Sequence, residues 1–197
     1  MFEHHPFIPL AAMLRKLLAI GLLVLSCCAN AGDATIEVAR FLHIGGRAEH
    51  GLKQRLVQLR QTAPEAAIAV AAAYEAFDQD EIARRYGRLF DEVLSPNDVD
   101  FVLRFSQTPA GKVYGAAYRD YQDPDALEAY LGKLSGDERT GAIGFERSPA
   151  YLKVIDVMTS ERARRMVRDY AEELMCSYYK KGDRSAVETL NSKGKCL

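Results

Sequence analysis

A fixed shift of 40 residues lays residues 94–114 (LSPNDVDFVLRFSQTPAGKVY) without gaps on residues 134–154 (LSGDERTGAIGFERSPAYLKV). Five of the 21 aligned pairs are identical: Leu94/Leu134, Ser95/Ser135, Phe105/Phe145, Pro109/Pro149 and Ala110/Ala150. Asp98/Glu138, Leu103/Ile143 and Thr108/Ser148 are close substitutions. Ordinary residue usage would give roughly one or two identities in such a window. The matched positions are those that begin and end helices, so this run constrains the fold more than any other part of the chain. Ser95 and Ser135 are candidate N-caps, each followed three residues later by an acid, Asp98 or Glu138. In such a capping box the hydroxyl accepts an orphan backbone N–H and the acid reaches back to the cap. Pro96 stands at the first helical position, where a missing N–H costs nothing. The helix runs to Gln107 in one copy and to Arg147 in the other. Thr108-Pro109 and Ser148-Pro149 end it, because proline disfavours α geometry in the residue before it. The same pair starts the next helix, as N-cap and first residue. Each copy therefore reads as cap, helix, tight corner, helix. Phe105 and Phe145 are expected beneath the corners as equivalent core anchors. The second copy spans residues 134–158, and an internal duplication accounts for the pair.

The first corner also carries a resemblance. The run Phe105, Ser106, Gln107, Thr108, Pro109, Ala110, Gly111, Lys112 follows a capped Leu-[Ser/Thr]-x-x-[Asp/Glu] helix. It is similar to the Phe-Tyr-x-Ser-Pro-Ala-Gly-x-Lys run of the bacterial domain-of-unknown-function 2059 family. The resemblance covers residues 82–118 and the secretory N-terminus. It implies an exported, all-helical protein and carries over no catalytic residue. Ser106 stands where the family usually has Tyr, and in the second copy Tyr151 replaces Gly111.

At 197 residues the chain has enough apolar content (48%) to build the core of one domain. A net charge of −1 exerts no general pull on nucleic acid or on anionic membranes. Arg15 and Lys16 precede an apolar stretch, residues 17–26, that is short for a bilayer span, and Ala29-Asn30-Ala31 is an A-x-A cleavage site. Residues 1–31 are therefore read as an N-terminal extension and signal peptide, with Met13 as an alternative start, and residues 32–197 as one domain. This places the mature protein in the periplasm or outside the cell. A lipoprotein anchored at Cys27 is the alternative, although Val24-Leu25-Ser26-Cys27 is a poor lipobox. Cleavage leaves Cys176 and Cys196, which in an oxidising compartment are expected to form a disulfide. Closing that loop would be worth roughly 3 kcal/mol in the chain-entropy model. Two free thiols are the alternative.

Apolar spacing along the mature chain is helical throughout. Residues 34–44 form an amphipathic helix ended by Gly45-Gly46, and a second helix covers 49–62. Pro64 opens an alanine-rich helix expected to be central and buried. Residues 80–94 bury Ile82, Tyr86, Leu89, Phe90 and Val93. A helix starting at Asp123-Pro124 buries Leu127, Tyr130, Leu131 and Leu134. A long helix runs from Pro149 to about Lys180, with Thr159-Ser160-Glu161 as a site for a bend or a cap. No stretch alternates as a strand does. The expected fold is all-α, a single bundle of eight to ten helices packed as antiparallel hairpins. Two copies are too few for a stacked solenoid.

Chemistry-bearing residues are sparse. His43 and His50 are separated by Gly45-Gly46, and a metal site needs three or four converging ligands, so no metal or cofactor is expected. Ser95, Thr108, Ser135 and Ser148 are explained as caps, so no catalytic residue is assigned. Asp78, Asp80 and Glu81, and the other acid pairs, suit helix starts and solvated faces. Arg162, Arg164, Arg165 and Arg168 form a basic face, with Glu161 placed to pair with Arg165. Tyr114, Tyr118, Tyr121, Tyr130, Tyr170, Tyr178 and Tyr179 suit half-buried seams or, alternatively, a peptide groove. Together these point to an exported, non-enzymatic helical module for another envelope protein or peptide, bound between the two duplicated hairpins. Nucleic acid is not an expected partner, and the membrane enters only through the signal peptide or a lipid anchor. The alternatives are a cell-envelope hydrolase using carboxylates and a small lipid-binding helical protein.

Overall fold

Capping residues and prolines set the element boundaries. The computed structural model describes residues 31–121 and 123–182, and the regular structure among them is entirely helical. The helices are α1 (Ala31–Phe41), α2 (Ile44–Thr62), α3 (Pro64–Glu75), α4 (Gln79–Asp91), α5 (Pro96–Gln107), α6 (Pro109–Asp120), α7 (Pro124–Leu131), α8 (Gly136–Glu146), α9 (Pro149–Thr159) and α10 (Glu161–Gly182). Five of these open on proline, where the ring presets the helical φ. Asp78 caps α4 through the Asp80 N–H, and Asp123 caps α7 through the N–H groups of Asp125 and Ala126. The run 149–180 divides at Ser160, whose hydroxyl accepts the Ala163 N–H at 3.1 Å and so starts α10. No helix among the described residues is long and apolar enough to cross a membrane.

The two related runs fold alike but not identically. In the first, Ser95 and Asp98 complete a capping box. Thr108 is at once the end of α5 and the N-cap of α6, accepting the Gly111 N–H at 3.0 Å. No residue separates the helices, and a Cβ on Gly111 would lie 1.9 Å from the Phe105 carbonyl oxygen. In the second, α8 ends one residue sooner, at Glu146, with Arg147 as an intervening helical residue. Ser148 then caps α9 through the Tyr151 N–H at 3.1 Å. Position 151 carries a buried tyrosine where the first corner demands glycine. Phe105 and Phe145 stack face to face, with centroids 4.0 Å apart and planes 8° from parallel. Phe145 is buried, and Ala110 and Ala150 are buried in the first turns after the corners. Phe105 is half-buried and packs against the core through Phe41, Tyr114 and Phe145, so the two phenylalanines are not equally buried anchors.

One core joins α1 and the start of α2 with α4–α9 and the first part of α10, built on Val38, Leu42, Ile82, Phe90, Val102, Tyr114, Phe145 and Val154. A smaller one, of Leu56, Leu59, Ala67 and Val70, lies between α2 and α3, with Met175 of α10 against it. Several sequence expectations change. Gly45-Gly46 does not end the first helix; it lies in the first turn of α2, and the break falls at His43, which takes a left-handed φ of 47°. Gly45 is required there because a Cβ would come within 2.4 Å of the Gln79 carbonyl oxygen. The alanine-rich α3 is peripheral, with Ile68 57% exposed, because it packs mainly on α2 and α10. Val93 lies beyond the end of α4 and is 45% exposed. Tyr130 and Leu131 are half-buried, whereas Leu127 and Leu134 are buried. Ser135 occupies the N-cap position of α8 without capping it. Gly136 follows with φ 58°, where the first run has the φ-restricting Pro96, and the hydroxyl is not presented to the first turn. Arg162 pairs with Glu92 beyond α4, and the Glu161–Arg165 pair is not formed among the described residues. Residues 1–30, Cys196 and the tail from residue 183 lie outside the described residues, while Cys176 is buried on α10.

Candidate functional site

Helical spacing puts Tyr114 and Tyr118 on one face of α6, with rings stacked at 5.0 Å. The Ser148 cap places Tyr151 of α9 opposite them, edge-on to Tyr114 at 6.3 Å. The three hydroxyls form a triangle. Tyr151 lies 2.9 Å from both partners, and Tyr114 and Tyr118 are 3.3 Å apart. Tyr114 also donates to Glu146 Oε1 of α8 at 3.0 Å. Four contacts share three hydroxyl protons, so one edge carries none at any instant. When Tyr114 donates to Glu146, Tyr151 and Tyr118 can each donate around the ring, and the long Tyr114–Tyr118 edge is the one left over. Burial pushes the Tyr114 phenol far above its ordinary value, and the neighbouring hydroxyls add to the shift. Burial raises Tyr151 as well. Both stay protonated, so this cluster clamps α6, α8 and α9 together and supplies no phenolate.

Tyr118 also carries a cation. The guanidinium of Arg47, on α2, lies 5.1 Å from the centroid of its ring. Arg47 is half-buried, and among the described residues no carboxylate forms an ion pair with it. Two clefts share this Arg47–Tyr118 ridge. The first, of 360 Å³, has Leu127, Leu131 and Ile143 as apolar walls and Glu128, Arg139 and Glu146 among its lining charges. The second, of 490 Å³, runs between α2, α4, α9 and α10, and Ile44, Ala48, Ile155, Met158 and Val167 supply its apolar lining. Its charged residues are Arg47 and Arg164, and no carboxylate lines it among the described residues. Tyr86 of α4 also faces it, 6% exposed, with no hydrogen-bond partner for its hydroxyl among the described residues. Burial raises the Tyr86 phenol above its usual value, and the charge of Arg47 opposes that shift.

The sequence-derived residues are positioning elements for this site. Ser95, Thr108 and Ser148 cap, Pro109 and Pro149 open the helices after the corners, and Gly111 lets the first corner close. They bring Tyr114, Tyr118 and Tyr151 together and line neither of the two clefts themselves. Sequence reasoning did not name Arg47 or Glu146, took Tyr86 only as a buried position of its helix, and noted Tyr151 only as the replacement for Gly111. The available signals were the i, i+4 spacing of Tyr114 and Tyr118 and the glycine-to-tyrosine change between copies. Tyr121 and Tyr130 stack as a seam at 4.7 Å, and Tyr170 accepts the Asp78 N–H at 3.1 Å. His43 is half-buried at the α1–α2 break, where burial first and then the charge of Arg119 lower its pKa. His50 contacts Gln54 on the surface of α2. Among the described residues no three His, Cys, Asp or Glu side chains converge as a metal site. No protein-family model, curated protein or solved structure matches the chain.

Proposed function

We propose that this chain is an exported, non-enzymatic binding module that takes an extended peptide segment of another envelope protein. The observation that carries this reading is the Arg47–Tyr118 ridge, common to two clefts of complementary character. One cleft is mixed in charge and the other is apolar and cationic, so a single extended chain can use both. The tyrosine cluster beneath the ridge is satisfied internally, which gives the clefts a rigid floor. The export signal read in residues 1–31 and the resemblance to the domain-of-unknown-function 2059 family support the envelope setting. The stacking of Phe105 on Phe145, residues at equivalent positions of the two runs, is compatible with descent of the two hairpins from one duplicated unit. In this reading Cys176 pairs with Cys196 and ties the tail to α10.

Peptide display against the mature chain, residues 32–197, tests the reading. Selected peptides should bind the native protein and lose affinity for Ile143→Asp, which puts a charge on the apolar wall of the first cleft. Failure to select any peptide, or binding indifferent to substitutions in both clefts, rejects it. A carboxylate hydrolase is the second reading, favoured by Glu128 and Glu146 lining one cleft. Cleavage of a bound peptide that Glu146→Gln abolishes would establish that reading instead.

A further inference from the structure

The second cleft combines three features that point to one ligand chemistry. Arg47 is held over Tyr118 and lacks a carboxylate partner among the described residues. Arg164 is a second cation on the same cleft, which has no acid among its described lining residues. Tyr86 is 6% exposed, lines the cleft, and has an unsatisfied hydroxyl among the described residues. A buried hydroxyl without a partner is costly, and a half-buried guanidinium without a counter-ion is costly too. Both costs are removed by one anionic acceptor. The remaining surface is apolar, through Ile44, Ile155, Met158 and Val167.

We infer that the second cleft binds the C-terminal carboxylate of a peptide whose last residues are apolar. The carboxylate is held by Arg47, with Tyr86 donating to it and Arg164 closing the rim. The last side chain rests on Ile155 and Met158. The preceding residues cross the ridge at Tyr118 into the first cleft, where Arg139, Glu128 and Glu146 face the polar part of the chain. This continuation favours a peptide over a fatty acid, because an alkyl chain crossing the ridge would desolvate two glutamates without compensating them. The inference rests on the peptide-binding reading and adds the end of the peptide that is recognised.

The test uses fluorescence anisotropy on the mature protein. The probes are short N-terminally fluorescein-labelled peptides ending in Leu or Phe, each made as the free acid and as the C-terminal amide. The free acids should bind, and amidation should weaken binding by about tenfold or more, as loss of a charge-paired carboxylate does. Arg47→Gln should abolish the preference for the free acid. Tyr86→Phe should weaken free-acid binding by about three- to tenfold and leave the amide unchanged. Thermal melts of both variants matching the native protein would show that the fold is kept. Equal binding of acid and amide overturns the terminal-carboxylate inference and leaves peptide binding intact. Absence of binding to either form, with no peptide selected by display, removes both. Arg47-dependent binding of decanoate without any peptide binding assigns the cleft to a fatty acid and also overturns the inference.

Discussion

Individual residues in the corners differ in how much they can change. Gly111 packs its α-carbon against the Phe105 carbonyl, so an added methyl must displace backbone rather than a mobile side chain. Gly111→Ala should lower stability by about 3 kcal/mol despite the better helix propensity of alanine. Gly144 of α8 has open space around it, and Gly144→Ala should raise stability by about 0.5–1 kcal/mol. Urea unfolding of the two variants separates packing from propensity, and equal shifts would show that the corner can relax. Phe145→Ala should cost about 3–5 kcal/mol, and Phe105→Ala only about half of that, because Phe105 is only half-buried. Asp98 has the best-defined electrostatic role. The Lys153 ammonium first, then the Ser95 hydroxyl and N–H, hold its carboxyl at about 2. Its unfolded value is about 3.9. A carboxyl depressed on folding stabilises above its unfolded pKa and loses that contribution as pH falls through the folded value. The window is therefore about pH 4 down to about pH 2. The Asp98 side chain is 15% exposed and that of Lys153 42%, so screening reduces the effect to about 1–2 kcal/mol. Asp98→Asn should be less stable than the native protein by that amount at pH 7. The gap should shrink toward zero below about pH 2, and a gap that persisted there would assign the loss to capping geometry instead.

Pairs of elements are joined by a few specific contacts. α4 and α10 are held by Arg85, which pairs with Glu81 on its own helix and with Glu173 across the interface at 2.7 and 3.1 Å. Its guanidinium also lies 4.7 Å from the centroid of the Tyr170 ring, which packs on Phe77 as well. The planar fork serves the carboxylate and the ring at once, which lysine cannot do. Glu173 is half in solvent, so Arg85→Lys should cost only about 1 kcal/mol. The loss should appear as faster amide exchange in α10 with little change in α6. Uniform acceleration through the bundle would mean that this interface carries no separate role. Between α9 and α10, the Ser160 cap turns what apolar spacing alone presents as one long helix into two. Sequence marked that position as a break, because a serine followed by an acid is a start signal even inside a helical pattern.

Across the whole molecule, stability is unevenly distributed. The main core gathers side chains from nine helices, whereas the core between α2 and α3 holds two leucines, one valine and one alanine. Less apolar area leaves water per residue there, so α3 should exchange its amides at lower protection than α4 and α6. Hydrogen exchange resolved by peptide would check this, and equal protection would show that the two cores open together. The clefts lie in the main body, across α2, α4, α6 and α7–α10, so local opening of α3 leaves most of their lining in place.

Helix ends and helix class were legible in the chain because caps, prolines and apolar spacing act within a few residues. Ser95, Thr108, Pro109, Ser148 and Pro149 needed no tertiary information to be placed. Gly45-Gly46 misled because glycine serves both to end helices and to let them approach, and only the proximity of Gln79 distinguishes the two uses. The alanine-rich α3 misled for a related reason: small side chains are compatible with close packing, but the positions of α2 and α10 decide which faces receive it. By itself, the sequence determined an all-helical chain with two capped corners, since those signals are local backbone chemistry. The tertiary structure alone decided that Tyr114, Tyr118, Tyr151 and Glu146 would meet and that Arg47 and Tyr86 would face one apolar cleft. Those groups come from different helices, and their proximity depends on crossings that no short stretch of sequence encodes.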